Sequence, residues 1–259
     1  MNLLKYKQFV KDYFFASSFQ LLNVISPFLV IYLVIPIIEK HLYANILLVT
    51  SLATYFKLLY EYGFEYFGAK KINITSSREL KSIVFSGIMN SKLILVGLLI
   101  VPQILLSYFL LIDRNWFFII SHAVGIIFLG LNPIWYFTAM KKFNLLAIIN
   151  FAVQVVFIVL IVLLINDKDD WMYYGLCYSI SQLFGFLISI VVLQKNGVKY
   201  YFKFNLTGYF IKNAFSIMSF GVLSNVYVSS TVILLKFFNI SSEIITDFGI
   251  AEKIIRGIR

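Results

Sequence analysis

The chain has 259 residues, of which 61% are hydrophobic and 13% charged, against about 25% charged in an ordinary soluble domain. Its mean hydropathy of +0.88 excludes a water-soluble globular domain. The net charge of +10 would suggest nucleic acid on a soluble protein. Here the basic residues sit in short loops between apolar runs, which points to anionic lipid headgroups and not to nucleic acid.

No Asp, Glu, Lys or Arg lies between Asp12 and Glu39, Lys92 and Asp113, Arg114 and Lys141, Lys142 and Asp167, Asp170 and Lys195, or Lys212 and Lys236. Each gap holds 20–26 residues, enough to cross a hydrocarbon core of roughly 30 Å as a helix. A bilayer offers no water to bare backbone groups, so the helix is the form these runs take. The expected fold is all-α, a polytopic transmembrane helix bundle. Eight spans are predicted. In chain order they cover about 13–38, 42–62, 83–112, 116–140, 145–165, 173–193 and 215–238, with the eighth starting near Thr246. The first is longer than a signal-peptide core and no small-residue cleavage pattern follows it, so it reads as a retained helix.

The loops fix the expected orientation. Sixteen basic residues fall on one side: Lys5, Lys7 and Lys11, then Lys70, Lys71, Arg78 and Lys81, then Lys141 and Lys142, then Lys195, Lys199, Lys203 and Lys212, then Lys253, Arg256 and Arg259. The other side has four: Lys40, Arg114, Lys168 and Lys236. The positive-inside rule places the first side, with the N-terminus, in the cytoplasm. The outer loops are short and leave no room for an extracytoplasmic domain. A shift of 201 aligns Lys11, Phe14, Ser18, Phe19 and Leu22 with Lys212, Phe215, Ser219, Phe220 and Leu223. This faint repeat divides the chain into a first lobe of six spans (1–193), a basic linker (194–213) and the start of a second lobe (214–259).

Charges inside a membrane are costly and face a partner or a cavity. Lys57, Glu61 and Glu65 recur every fourth residue and form one expected stripe; an ion pair with a snorkelling lysine and a cavity wall are both open readings. Lys92, on the cytoplasmic half of the third span, either snorkels inward beside Asn90 or faces a cavity. Lys236 reads as a snorkelling anchor. Amides enter the spans at Gln20, Asn23, Gln103, Asn132, Asn150, Gln154, Gln182 and Asn225. Interhelical hydrogen bonding accounts for most of them. Gln20, Asn23 and Asn225 are the better cavity candidates, since the first and seventh spans would be repeat-equivalent gating helices. Pro27 and Pro102 lie within spans and should bend them. Cys177 is the only cysteine, so an intrachain disulfide and a cysteine zinc site are excluded. His41 and His122 lack ligand-spaced partners, and no HExxH, GxSxG or phosphate-loop pattern occurs.

Three segments carry a resemblance. Tyr55–Lys71 reads YFKLLYEYGFEYFGAKK, Leu131–Asn150 reads LNPIWYFTAMKKFNLLAIIN, and Phe248–Arg256 reads FGIAEKIIR. They resemble the Wzx-type polysaccharide flippases of the MOP exporter superfamily: an acidic-Tyr-Gly-Phe turn before a basic cluster, a Pro-x-Trp-aromatic-aromatic exit, and an Ala-Glu-Lys stretch. The resemblance implies a first lobe like that of the MATE and MOP exporters and a V-shaped, partly cationic cavity between two six-helix lobes. It also implies alternating access, no cofactor, no covalent chemistry and coupling to a proton or sodium gradient. The cargo would be an undecaprenyl-pyrophosphate-linked oligosaccharide crossing the bacterial inner membrane. Partners would be membrane lipids and other polysaccharide assembly proteins. Glu61 matches the acidic position, and Glu252 and Lys253 match the Ala-Glu-Lys element. Lys92, Lys253 and Arg256 are cations suited to a pyrophosphate. The family has about twelve helices and this chain reaches the eighth, so a truncation is expected, with Thr246–Arg259 poorly anchored. Another exporter of the superfamily, a membrane enzyme such as an O-antigen polymerase, and a fragment that docks other membrane proteins remain alternatives. A polymerase would need a long extracytoplasmic loop.

Overall fold

The computed structural model describes Tyr13, Ser17, Leu21 and residues 25–258, without the side chains of 226–229 and 256–258. Among the described residues the regular structure is entirely helical. In chain order come α1 (Ile25–Val34), α2 (Lys40–Glu61), α3 (Phe64–Ile74), α4 (Arg78–Leu110), α5 (Trp116–Leu131), α6 (Ile134–Ala139) and α7 (Phe143–Leu164). A short 3-10 turn, Lys168–Met172, leads to α8 (Tyr173–Lys195), followed by α9 (Thr207–Ser229), α10 (Thr231–Phe237) and α11 (Ser242–Ile258). Five helical stretches are long and apolar enough to cross a bilayer: Lys40–Ile74, Arg78–Leu110, Trp116–Ala139, Phe143–Leu164 and Lys168–Lys195. The chain is a multi-pass membrane protein built as an all-α bundle.

Two predicted spans, the fourth and the seventh, are broken where one helix was expected, while the second ends where expected and is followed at once by a further helix. The second span ends at Tyr62, φ 48°, and Gly63, φ 71°, before helix resumes as α3. Two successive left-handed residues turn the chain there. A Cβ on Gly63 would lie 2.8 Å from Ile217 Cβ of α9, so the turn also needs glycine for its close approach. The fourth span breaks at Asn132–Pro133. Proline lacks the N–H that would bond back to Leu129 and pushes its predecessor out of helical geometry, and Asn132 has ψ 127°. The seventh divides at Ser230 into α9 and α10, and α9 starts eight residues early, at Thr207 and not Phe215.

Two apolar clusters run through the bundle, one around Phe56, Tyr60, Phe64, Phe85, Trp135 and Phe137. The other surrounds Tyr43, Leu48, Phe118, Phe157, Trp171 and Tyr174. Helix α2 feeds both and also meets α4, α5, α9, α10 and α11.

The loops that charge counting separated are also separated in space. At one end Lys168 meets Glu39 at 3.3 Å, Lys40 meets Asp247 at 2.8 Å, and Asn45 Nδ2 donates to Asp113 at 2.8 Å. At the other, Lys142 Nζ donates to Asn196 Oδ1 at 2.7 Å and Lys71 Nζ to Tyr209 Oη at 2.8 Å.

The expectation of a poorly anchored Thr246–Arg259 does not hold for its first half. Ile245 and Thr246 are fully buried. Thr246 Oγ1 donates to the Lys40 carbonyl at 2.7 Å, and Lys253 Nζ lies 3.3 Å from Tyr43 Oη. Sequence reasoning gave α11 no partner because it counted only second-lobe helices; its partner is α2.

The segment between α8 and α9 is a strap along the first turns of α4. Ser82 Oγ accepts from Lys199 N at 3.1 Å, and Ser86 Oγ accepts from Tyr201 N at 2.8 Å. Asn90 Nδ2 donates to the carbonyls of Tyr201 at 3.0 Å and Lys203 at 2.7 Å, while its Oδ1 accepts from Tyr200 Oη. Four helical residues rise about 6 Å and two extended residues about 6.6 Å, so Lys199 and Tyr201 meet successive turns of the helix, and a tight turn from Lys203 N to the Tyr201 carbonyl at 2.9 Å brings the Lys203 carbonyl to the same Asn90.

Candidate functional site

The breaks in the second and fourth spans lie side by side. A Cβ on Gly130 would sit 2.6 Å from Tyr60 Cβ, so the glycine lets the last turns of α2 and α5 touch. Tyr60 Oη donates to Gln103 Oε1 of α4 at 2.5 Å, tying three helices together. For Gln103 the interhelical hydrogen bond expected of a membrane amide is present.

The charged residues gather at this junction. Lys57 Nζ lies 3.7 Å from Glu61 Oε1; the lysine side chain is 41% exposed and the carboxylate 15%. Glu65 does not continue the stripe, because the break at Tyr62–Gly63 intervenes and leaves it exposed. Lys92 is 1% exposed and its Nζ donates to the Gly130 carbonyl at 2.6 Å. That carbonyl has no helical donor because α5 ends one residue later. The ammonium also faces the negative end of the α5 dipole, and Glu61 and Glu65 act on it electrostatically. Lys92 therefore points into the bundle and does not snorkel toward an aqueous end.

Beside the pair lies a cavity of about 230 Å³ between α2, α5, α6, α7 and α8. Lys57, Asn132, Asn150, Gln154, Tyr178 and Gln182 line it. Asn132 and Gln182 are 6% and 9% exposed. The Asn132 Oδ1 atom has no hydrogen-bond partner among the described residues, and no protein group there bonds the side chains of Gln154 or Gln182. The interhelical bonding expected of these three amides is absent. Their helices carry them to one hollow, which the sequence did not reveal; Pro133 after Asn132 was the available signal for a break there.

The remaining predicted residues lie elsewhere. Asn225 Nδ2 donates to the Gly221 carbonyl of its own helix at 3.0 Å, and its carbonyl accepts from Tyr55 Oη at 3.4 Å. Glu252 and Lys253 line a smaller cavity of about 160 Å³ with Thr50, Ser51 and Thr54 of α2. Lys253 Nζ also lies 5.6 Å from the Tyr43 ring centroid. Arg256 is in α11, with its side chain outside the described residues, as are Gln20 and Asn23 entirely. The repeat positions Lys11, Phe14, Ser18, Phe19 and Leu22 also lie outside them. No cluster of three or more metal-ligating side chains occurs among the described residues.

The sequence profile of the polysaccharide biosynthesis protein family matches residues 9–255. The chain belongs to that family. No curated protein and no solved structure matches it. The family assignment gives the chain a role in polysaccharide synthesis or transport. In this member of the polysaccharide biosynthesis protein family, Lys57 of the ion pair shares one hollow with Asn132, Gln154 and Gln182. That arrangement suits binding and movement of a polar group within the bilayer.

Proposed function

We propose that the chain moves an undecaprenyl-pyrophosphate-linked oligosaccharide across the bacterial inner membrane, acting as a Wzx-type flippase with its N-terminus in the cytoplasm. The observation that carries this reading is the Lys57–Glu61 pair, whose lysine lines an intramembrane cavity, in a chain of a polysaccharide family. Isolated charges are expensive at that depth and persist where they face a path or a partner. Discontinuous helices supply backbone groups to such sites in transporters. Glu61 stands at the acidic position of the family's Tyr-Gly-Phe turn. In this reading residues 1–193 form the first lobe, 194–213 the linker and 214–259 part of the second. Lys253 and Arg256 of α11 attract the pyrophosphate, and a proton or sodium gradient drives the cycle with no covalent step. Membrane lipids and other polysaccharide assembly proteins are its neighbours.

The test is a chromosomal Glu61→Ala substitution in the organism of origin. Surface polysaccharide should fall at least about tenfold, the effect of roughly 1.4 kcal/mol on a rate, with chain abundance in the membrane unchanged. Normal display at normal abundance would leave Lys57–Glu61 as a structural pair and remove the transport role from this site.

A further inference from the structure

We infer that the cavity between α2, α5, α6, α7 and α8 binds a neutral polyhydroxylated group the size of one sugar ring; the inference rests on the flippase reading and gives the site its substrate class. Asn132 and Gln182 are more than nine-tenths buried. Asn132 Oδ1 is enclosed with no partner among the described residues; the Gln182 side chain and the half-buried Gln154 side chain make no hydrogen bond to another described residue. A membrane protein that left these amides without a partner would forfeit their hydration for nothing. They come from three helices and converge on one hollow, so a common occupant accounts for all of them.

The donor set selects that occupant. A primary amide both donates and accepts, which is what vicinal hydroxyls require. A cation is disfavoured, because no carboxylate lines the hollow and the Lys57 ammonium does. An anion is disfavoured too, because Lys57 is the only cation lining it and is paired with Glu61 at 3.7 Å. The volume of about 230 Å³ lies below the roughly 300 Å³ at which pockets begin to hold drug-sized ligands. It holds one ring and not a whole oligosaccharide.

Saturation-transfer NMR on the purified chain in detergent tests this. The probes are free D-glucose, D-galactose, L-rhamnose and N-acetyl-D-glucosamine at millimolar concentration. At least one should receive saturation, and Asn132→Leu and Gln182→Leu should each weaken it about tenfold or more, since each removes hydrogen bonds made only to the ligand. Thermal midpoints of both variants should equal or exceed that of the parent, because unpaired buried amides contribute no stability. A variant that melts far below the parent would show the amide to be structural and overturn the inference. So would the absence of transfer from all four sugars, transfer that the variants leave unchanged, or stabilisation by sodium over choline that the variants abolish. Polysaccharide display in Glu61→Ala cells separates the two readings. Display lost there with no sugar binding defeats the cavity inference alone. Display retained at normal chain abundance, with sugar binding present, defeats the flippase role of Glu61 alone.

Discussion

Lys92 joins α4 to the end of α5 through one hydrogen bond to a carbonyl that its own helix cannot satisfy. A charged donor to a buried acceptor is worth about 1.5–3 kcal/mol, and the cost of leaving the acceptor bare is of similar size. Lys92→Met keeps the apolar stem and removes the ammonium. Its thermal midpoint in detergent should therefore drop by an amount equivalent to about 1–3 kcal/mol; a midpoint equal to the parent's would show that the Gly130 carbonyl does not need this donor. The sequence marked Lys92 as unusual because a lysine stands at the edge of a long charge-free run. It could not show the lysine's partner, because Gly130 is 38 positions away and becomes a bare acceptor only when Pro133 ends α5. Glu61 was legible for its place in a motif; the four-residue spacing allowed its pairing with Lys57 without deciding between an ion pair and a cavity wall. The unpaired state of Asn132, Gln154 and Gln182 was not legible, because it depends on how α7 and α8 are rotated about their own axes.

Among the elements, the spans were legible and the breaks less so. Charge-free runs mark where the chain must be helical, since the constraint comes from the bilayer and not from propensity. A left-handed residue at Tyr62 has no such composition signal, although Gly63 beside it does. The strap is the element least visible in sequence. Ser82, Ser86 and Asn90 recur every fourth residue along α4, but the backbone they bind lies more than 100 residues on. Asn90→Ala should release the Tyr201 and Lys203 carbonyls and the Tyr200 hydroxyl from α4 together. Backbone amides of 199–205 should then exchange with deuterium roughly tenfold faster, the equivalent of about 1.4 kcal/mol of local stability. Unchanged exchange would mean that the strap is held by its flanking helices and not by the stripe.

For the whole molecule, the grouping of loops by charge and the contacts between loops agree on which loops share an end. Counting charges assigns sides; the contacts show that Lys142 shares an end with Asn196, and Lys168 the opposite end with Glu39. Both Lys199 and Lys168 are exposed, one at each end. In a Cys177→Ser background, an impermeant maleimide added to intact cells should label Lys168→Cys and miss Lys199→Cys. Labelling of Lys199→Cys would invert the whole arrangement. The strap sets a rule of parity for the connection between α8 and α9. Its backbone bonds to α4 come from Lys199, Tyr201 and Lys203, one residue in two. Lengthening it by one residue would turn the backbone groups of Tyr200 and Phe202 toward α4 and leave Ser82, Ser86 and Asn90 without the backbone they hold. Lengthening it by two would restore the pairing one helical turn further along. The connection thus counts in pairs, so that for this stretch the number of residues being odd or even matters more than which residues they are.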